Sequence, residues 1–138
     1  MENVFLIGRI VFAVMFVGSG VGHLMKTEES AAYAKSKGLA NATLMVQISG
    51  AAFLAGGLGI ALGIFTDLAF LLTGVLVMII AVMFHPFWKM EGEEQAAEMP
   101  NFMKNLTIFG ACLMGFAFYA TEGTDFQQVI GPIFEFDW

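Results

Sequence analysis

Four apolar runs dominate this chain, and each is long enough to cross the hydrocarbon of a bilayer as a helix. They cover residues 4–25, 44–65, 68–84 and 102–120. A spanning helix needs about 20 largely apolar residues, because unpaired backbone groups are intolerable in lipid and a helix satisfies its own. Only six basic and twelve acidic residues remain among 138, too few to coat a water-soluble domain of this size. The expected fold is all-α, an integral membrane four-helix bundle over residues 1–120 with a tail at 121–138. Residues 1–3 are followed directly by the first run, without the basic n-region and cleavage site of a signal peptide, so that run is expected to stay. A net charge of −6 and so few basic residues exclude a phosphate-binding face, and with it nucleic acid as a partner. The single Cys112, within an apolar run, reads as a packing residue.

The span count sorts the polar residues between the two membrane faces. If the first span runs from face A to face B, the third does too, and the second and fourth return. His23 and His85 close spans one and three, Gln47 lies near the start of span two, and Lys104 and Asn105 open span four. All five belong to face B, with Trp88. Arg9, Asp67 and the tail belong to face A. Five lysines on face B against Arg9 alone on face A put the 26–43 and 86–101 loops in the cytoplasm by the positive-inside rule.

Small residues suggest where helices approach closely. Ala51, Ala55, Gly59 and Gly63 recur every four residues, span one has Gly18 and Gly22, and span four has Ala111 and Gly115. In lipid, where burying apolar surface between helices gains little, such stripes allow close backbone packing.

With these elements placed, the chain resembles the DoxX family of small four-helix membrane proteins. The resemblance runs from about residue 5 to 116 through "GRIVFAVMFVGSGVGHL", "YAKSKGL", "GGLGIALGIFT", "FHPFW" and "MKNLTIFGACLMGF". The chain departs from the family at Phe53, where many members carry glutamate, and at Asp67, where a basic residue often stands. The resemblance implies a bacterial-type inner membrane and association with redox systems. Relatives resemble a subunit of a thiosulfate:quinone oxidoreductase, and others act as membrane partners of redox-defence proteins.

Arg9 lies about 8 Å into span one, where a charge is costly enough to need a reason. A structural clamp is the favoured role, with Asp67 or Glu122 in reach on the same face. On face B, a shallow polar pocket is expected from His23, His85, Trp88, Lys104, Asn105 and Gln47. A quinone head group suits it, needing hydrogen-bonding groups, an aromatic wall (Phe84, Phe87, Trp88) and access from lipid. Haem is disfavoured, since two histidines are the bare minimum for its axial ligands. No metal is expected, because Glu91 and Glu93 are placed in a loop near His85 and form no ligand-spaced set. Trp88 and Pro86 also have a plain reading as an interfacial anchor and a helix terminator.

The tail carries Phe126, Ile133, Phe134, Phe136 and Trp138, suited to lying in the interface or docking on another subunit. Three functions stay open. The first is a small accessory subunit of a larger membrane redox assembly, held by lipid and by other membrane subunits. The second is a quinone-linked oxidoreductase component. The third and weakest is a small-solute transporter, which lacks a polar ladder through any span. Whether the chain is itself an enzyme is left undecided by these residues.

Overall fold

The computed structural model describes residues 2–121 and 128–134. Helix α1 (Glu2–Met25) is followed by a short α2 (Thr27–Ser36), then α3 (Ala42–Leu62), α4 (Thr66–Phe84), a single 3₁₀ turn at Phe87–Lys89, and α5 (Gly92–Thr121). Helices α1, α3, α4 and α5 are long and apolar enough to cross a membrane. Their order gives the expected up-and-down arrangement, in which α1 packs on α3, α3 on α4, and α4 on α5.

Two connecting segments are more helical than expected. The 26–43 connection holds α2, whose Ala31 and Ala34 are buried against Ala42 and Val46 at the start of α3. Its other face carries Glu28, Glu29 and Lys35, so this ten-residue helix lies across face B with its small apolar side inward. The acidic stretch, open to reading as a loop or a short surface helix, is helical from Gly92. Glu93 and Glu94 occupy the first turn of α5, where negative charge is favoured by the helix dipole. Helix α5 then continues through Pro100, which has no N–H to give the Ala96 carbonyl.

The expected packing stripe of α3 holds at its end, where Gly63 is buried and a Cβ at Gly59 would lie 3.0 Å from the Ala69 Cβ, and fails at its start. Ala51 and Ala55 are exposed, whereas Gly50, Phe53, Gly57 and Ile60 are buried. A periodicity of small residues cannot choose among faces when every face of a helix is apolar. On α1 the close approach is likewise made by Gly20, with open space around Gly18 and Gly22. A Cβ at Gly20 would lie 2.6 Å from the Leu54 nitrogen and 2.7 Å from the Gly50 oxygen. The two backbones therefore touch there, which only glycine allows. Gly115 packs as anticipated, under the Phe70 ring.

The core has two apolar centres along the bundle. One joins Ala13, Ile60, Ala69, Phe70, Cys112 and Tyr119 towards face A. The other joins Phe16, Phe53 and Val77 nearer face B. At face A, the sharp α3–α4 turn is made by left-handed residues Gly63 (φ 74°) and Phe65 (φ 44°). The described part of the tail returns to this turn. Val129 N–H donates to the Gly63 carbonyl at 2.8 Å, and Ile64 and Ile130 form an isolated parallel bridge.

Candidate functional site

A concavity that takes in both histidines lies at face B. A cavity of about 520 Å³ is lined by all of α1–α4 and takes in both His23 and His85. Its walls are largely apolar, with Ile48 and Met45 from α3 and Leu76, Ile79 and Met83 from α4, while Glu29 and Ser30 line it from α2. Ile48, Ile79 and Met83 are each about half exposed, so the cavity opens sideways between α3 and α4, on the surface that lipid would cover. Helix α2 forms the roof. Tyr33 stacks on Phe84 with ring centroids 5.9 Å apart, and Leu39 and Ala34 close the same end.

Each histidine is held by a different partner. His23 Nδ1 is 3.1 Å from Ser49 Oγ on α3, and its ring meets Phe53 edge-on at 6.0 Å. Gly50 makes this possible, because a Cβ there would lie 2.8 Å from the Cβ of His23. His85 ends α4, its backbone N–H bonded to the Ala81 carbonyl. Its Nδ1 is 2.6 Å from Glu98 Oε2 on α5, and Lys37 Nζ is 3.8 Å from the other oxygen, Oε1. Asn101 Nδ2 donates to Oε2 from 3.4 Å. Glu98 thus ties the end of α4 to α5 and to the end of α2.

That knot has a measurable value. Glu98→Ala removes a short charge-assisted bond and a weaker ion pair, both partly screened by solvent. A loss of about 1–2 kcal/mol in unfolding free energy is expected, read by denaturant titration in micelles. Equal stability of variant and wild type would mean the contact is a surface pair of no consequence.

The other expected pocket residues lie apart from the cavity lining. Gln47 and Lys104 are exposed, and Asn105 is half-buried on α5. Trp88 packs with Phe87 and Phe102, at 5.4 and 5.2 Å, in an aromatic cluster beyond the histidine. Of the expected aromatic wall, Phe84 alone lines the cavity. Ser49, Tyr33 and Glu98 were not anticipated. Ser49 is the one hydroxyl in the first half of an otherwise apolar helix beyond Thr43, a signal present in the sequence. Tyr33 and Glu98 depended on recognising two further helical stretches.

At face A, Arg9 is buried. Its Nη1 donates to the Tyr119 hydroxyl at 3.1 Å and its Nη2 to the Ala61 carbonyl at 3.4 Å, linking α1 to α5 and α3. This is the geometry of a clamp. Asp67, fully buried at the start of α4, accepts the backbone N–H groups of Ile133 and Phe134 through Oδ2, at 2.8 and 2.7 Å. It serves the tail. Phe134 packs edge-on against Phe116 at 5.8 Å, and Ile133 is half exposed. Glu122, Phe126, Phe136 and Trp138 lie outside the described residues.

Among the described residues, no group of three or more His, Cys, Asp or Glu side chains is placed to hold a metal ion. Comparison with known families gives one match: the model of the DoxX family matches residues 4–86, more than half of the chain. Both histidines and Ser49 fall within that stretch, and Glu98 falls beyond it. No curated protein and no solved structure matches the chain.

Proposed function

The chain belongs to the DoxX family and is an integral membrane protein, and from that premise we propose that it is a quinone-binding subunit of a larger membrane redox assembly. The observation that carries this reading is the meeting of His23 and His85, from two different helices, in one apolar cavity open between α3 and α4. Its volume of about 520 Å³ lies in the range of sites for small organic ligands. A quinone combines a flat ring bearing hydrogen-bonding oxygens with a long apolar chain. The ring suits the histidine end, and the chain suits the Ile48, Ile79 and Met83 opening.

Electrons must come from or go to a partner, since two histidines and one cysteine give the chain little with which to hold a redox centre of its own. Other subunits would meet it on its exposed helix faces and near Ile133. The lysine distribution supports an orientation with face B, and so the cavity, on the cytoplasmic side of the membrane, taken here to be a bacterial-type inner membrane.

Gentle purification from native membrane followed by lipid extraction tests the proposal. Wild-type protein is expected to retain a near-stoichiometric quinone or quinol. His23→Ala and His85→Ala should each retain at least ten-fold less, with unchanged helical circular dichroism. Wild-type retention in both variants would remove the cavity from consideration and leave a scaffold only.

A further inference from the structure

Two hydrogen bonds determine what His23 can offer to a molecule in the cavity. Ser49 Oγ lies 3.0 Å from the carbonyl oxygen of Val46, which can only accept and so takes the single hydroxyl proton in this hydrogen bond. Towards His23 Nδ1, at 3.1 Å, the same oxygen has lone pairs and no proton left. With the hydroxyl proton on that carbonyl, the imidazole donates from Nδ1. No carboxylate is ion-paired with His23 among the described residues, and Glu29, which lines the same cavity, is paired with Lys26 instead. A neutral imidazole carries one N–H, which leaves Nε2 as a bare lone pair.

His85 is not constrained in this way. Its Nδ1–H faces the Glu98 carboxylate at 2.6 Å, a partner that suits both the neutral and the doubly protonated ring. Its Nε2 can then donate or accept, and it meets either oxidation state of a quinoid ring equally well. Discrimination falls to His23.

An oxidised quinone presents two carbonyl oxygens, both acceptors. Against the Nε2 lone pair it sets acceptor against acceptor in a largely apolar cavity. A quinol presents hydroxyl groups, one of which donates to Nε2. We infer that the cavity selects the reduced, hydroxylated ring over the oxidised quinone, and that Ser49 is the specificity-determining residue, acting through the tautomer of His23. The inference rests on the quinone-site reading above and adds the redox form that the site holds. Leaving one buried acceptor unpaired separates two otherwise equal ligands by about 10- to 100-fold.

The experiment titrates full-length protein in detergent micelles, under anaerobic conditions, with a decyl-substituted benzoquinol and with the matching benzoquinone. Calorimetry gives the ratio of their dissociation constants. Wild-type protein should bind the quinol at least ten-fold more tightly. Ser49→Ala frees the ring to move its proton to Nε2, and the ratio should fall to within about three-fold, chiefly because quinone binds better. Ser49→Thr keeps the hydroxyl and its carbonyl partner, and should keep the preference. A merely structural role for Ser49 would weaken both ligands together and leave the ratio in place, which would overturn the inference. So would a wild-type ratio near one, or one that favours quinone. Those results would leave the quinone-site reading standing, whereas failure of both ligands to bind wild-type protein would remove that reading and this inference with it.

Discussion

Gly20→Ala is expected to destabilise the bundle by about 3 kcal/mol, while Gly18→Ala, two residues away on the same helix, stabilises it by up to about 1 kcal/mol. The sign differs because the surroundings differ. A methyl group at position 20 would sit 2.6–2.8 Å from the Leu54 nitrogen, the Gly50 oxygen and the Leu54 Cβ, mostly rigid backbone that has no rotamer to yield. At position 18 nothing lies within 4 Å, and alanine only removes the conformational freedom that makes glycine a poor helix residue. Denaturation of both variants in mixed micelles gives the comparison directly. The strained variant should also lose ligand, since α1 carries His23 and α3 carries Ser49 on either side of that contact. If the two substitutions behaved alike, the close approach of α1 to α3 would be wrong.

The second large effect is local. Asp67→Ala should speed hydrogen exchange at the Ile133 and Phe134 amides by about 100-fold, and Asp67→Asn by about ten-fold. Oδ2 accepts from both amides, and a bond to a charged acceptor contributes about 1.5–3 kcal/mol, where 1.4 kcal/mol corresponds to a factor of ten. Asparagine keeps an acceptor oxygen without its charge. Global stability should move less, because alanine also relieves the cost of a buried carboxylate and the freed amides can reach water or head groups at face A. Unchanged exchange in Asp67→Ala would show that contacts other than Asp67, among them those to Gly63, Phe65 and Phe116, hold the segment.

What the sequence made legible follows from what lipid demands. A spanning helix must be apolar over a fixed length, so the four spans could be read directly, and their parity placed His23 and His85 on one face. Parity gives depth and not direction. Gln47 stands two residues from Ser49, roughly 200° around the helix, and it faces away from the cavity that Ser49 lines. Direction was hidden for the same reason in the glycine stripes. With lipid outside and neighbours inside, the two faces of α3 have similar composition, and only the contacts with α1 show that Gly50 packs on His23 and Gly57 on Phe16 and Val17. The short α2 was hidden because "TEESAAYAKS" gains its helix from the burial of Ala31 and Ala34, a tertiary effect. Glu98 was lost with it, since its value depends on α5 beginning at Gly92 and bringing the carboxylate to His85. Asp67 was read as a partner for Arg9 on the strength of charge, whereas backbone amides of the tail take its oxygen.

The roof formed by α2 also affects how any affinity should be expressed. With Tyr33 on Phe84 across the face-B end and half-exposed Ile48, Ile79 and Met83 along α3 and α4, a ligand that enters from the lipid side partitions first into the surrounding apolar phase. Occupancy then follows the mole fraction of ligand in lipid or detergent. Dissociation constants quoted per litre of buffer would climb in proportion to detergent added, while the same data plotted per mole of micelle would fall on one curve.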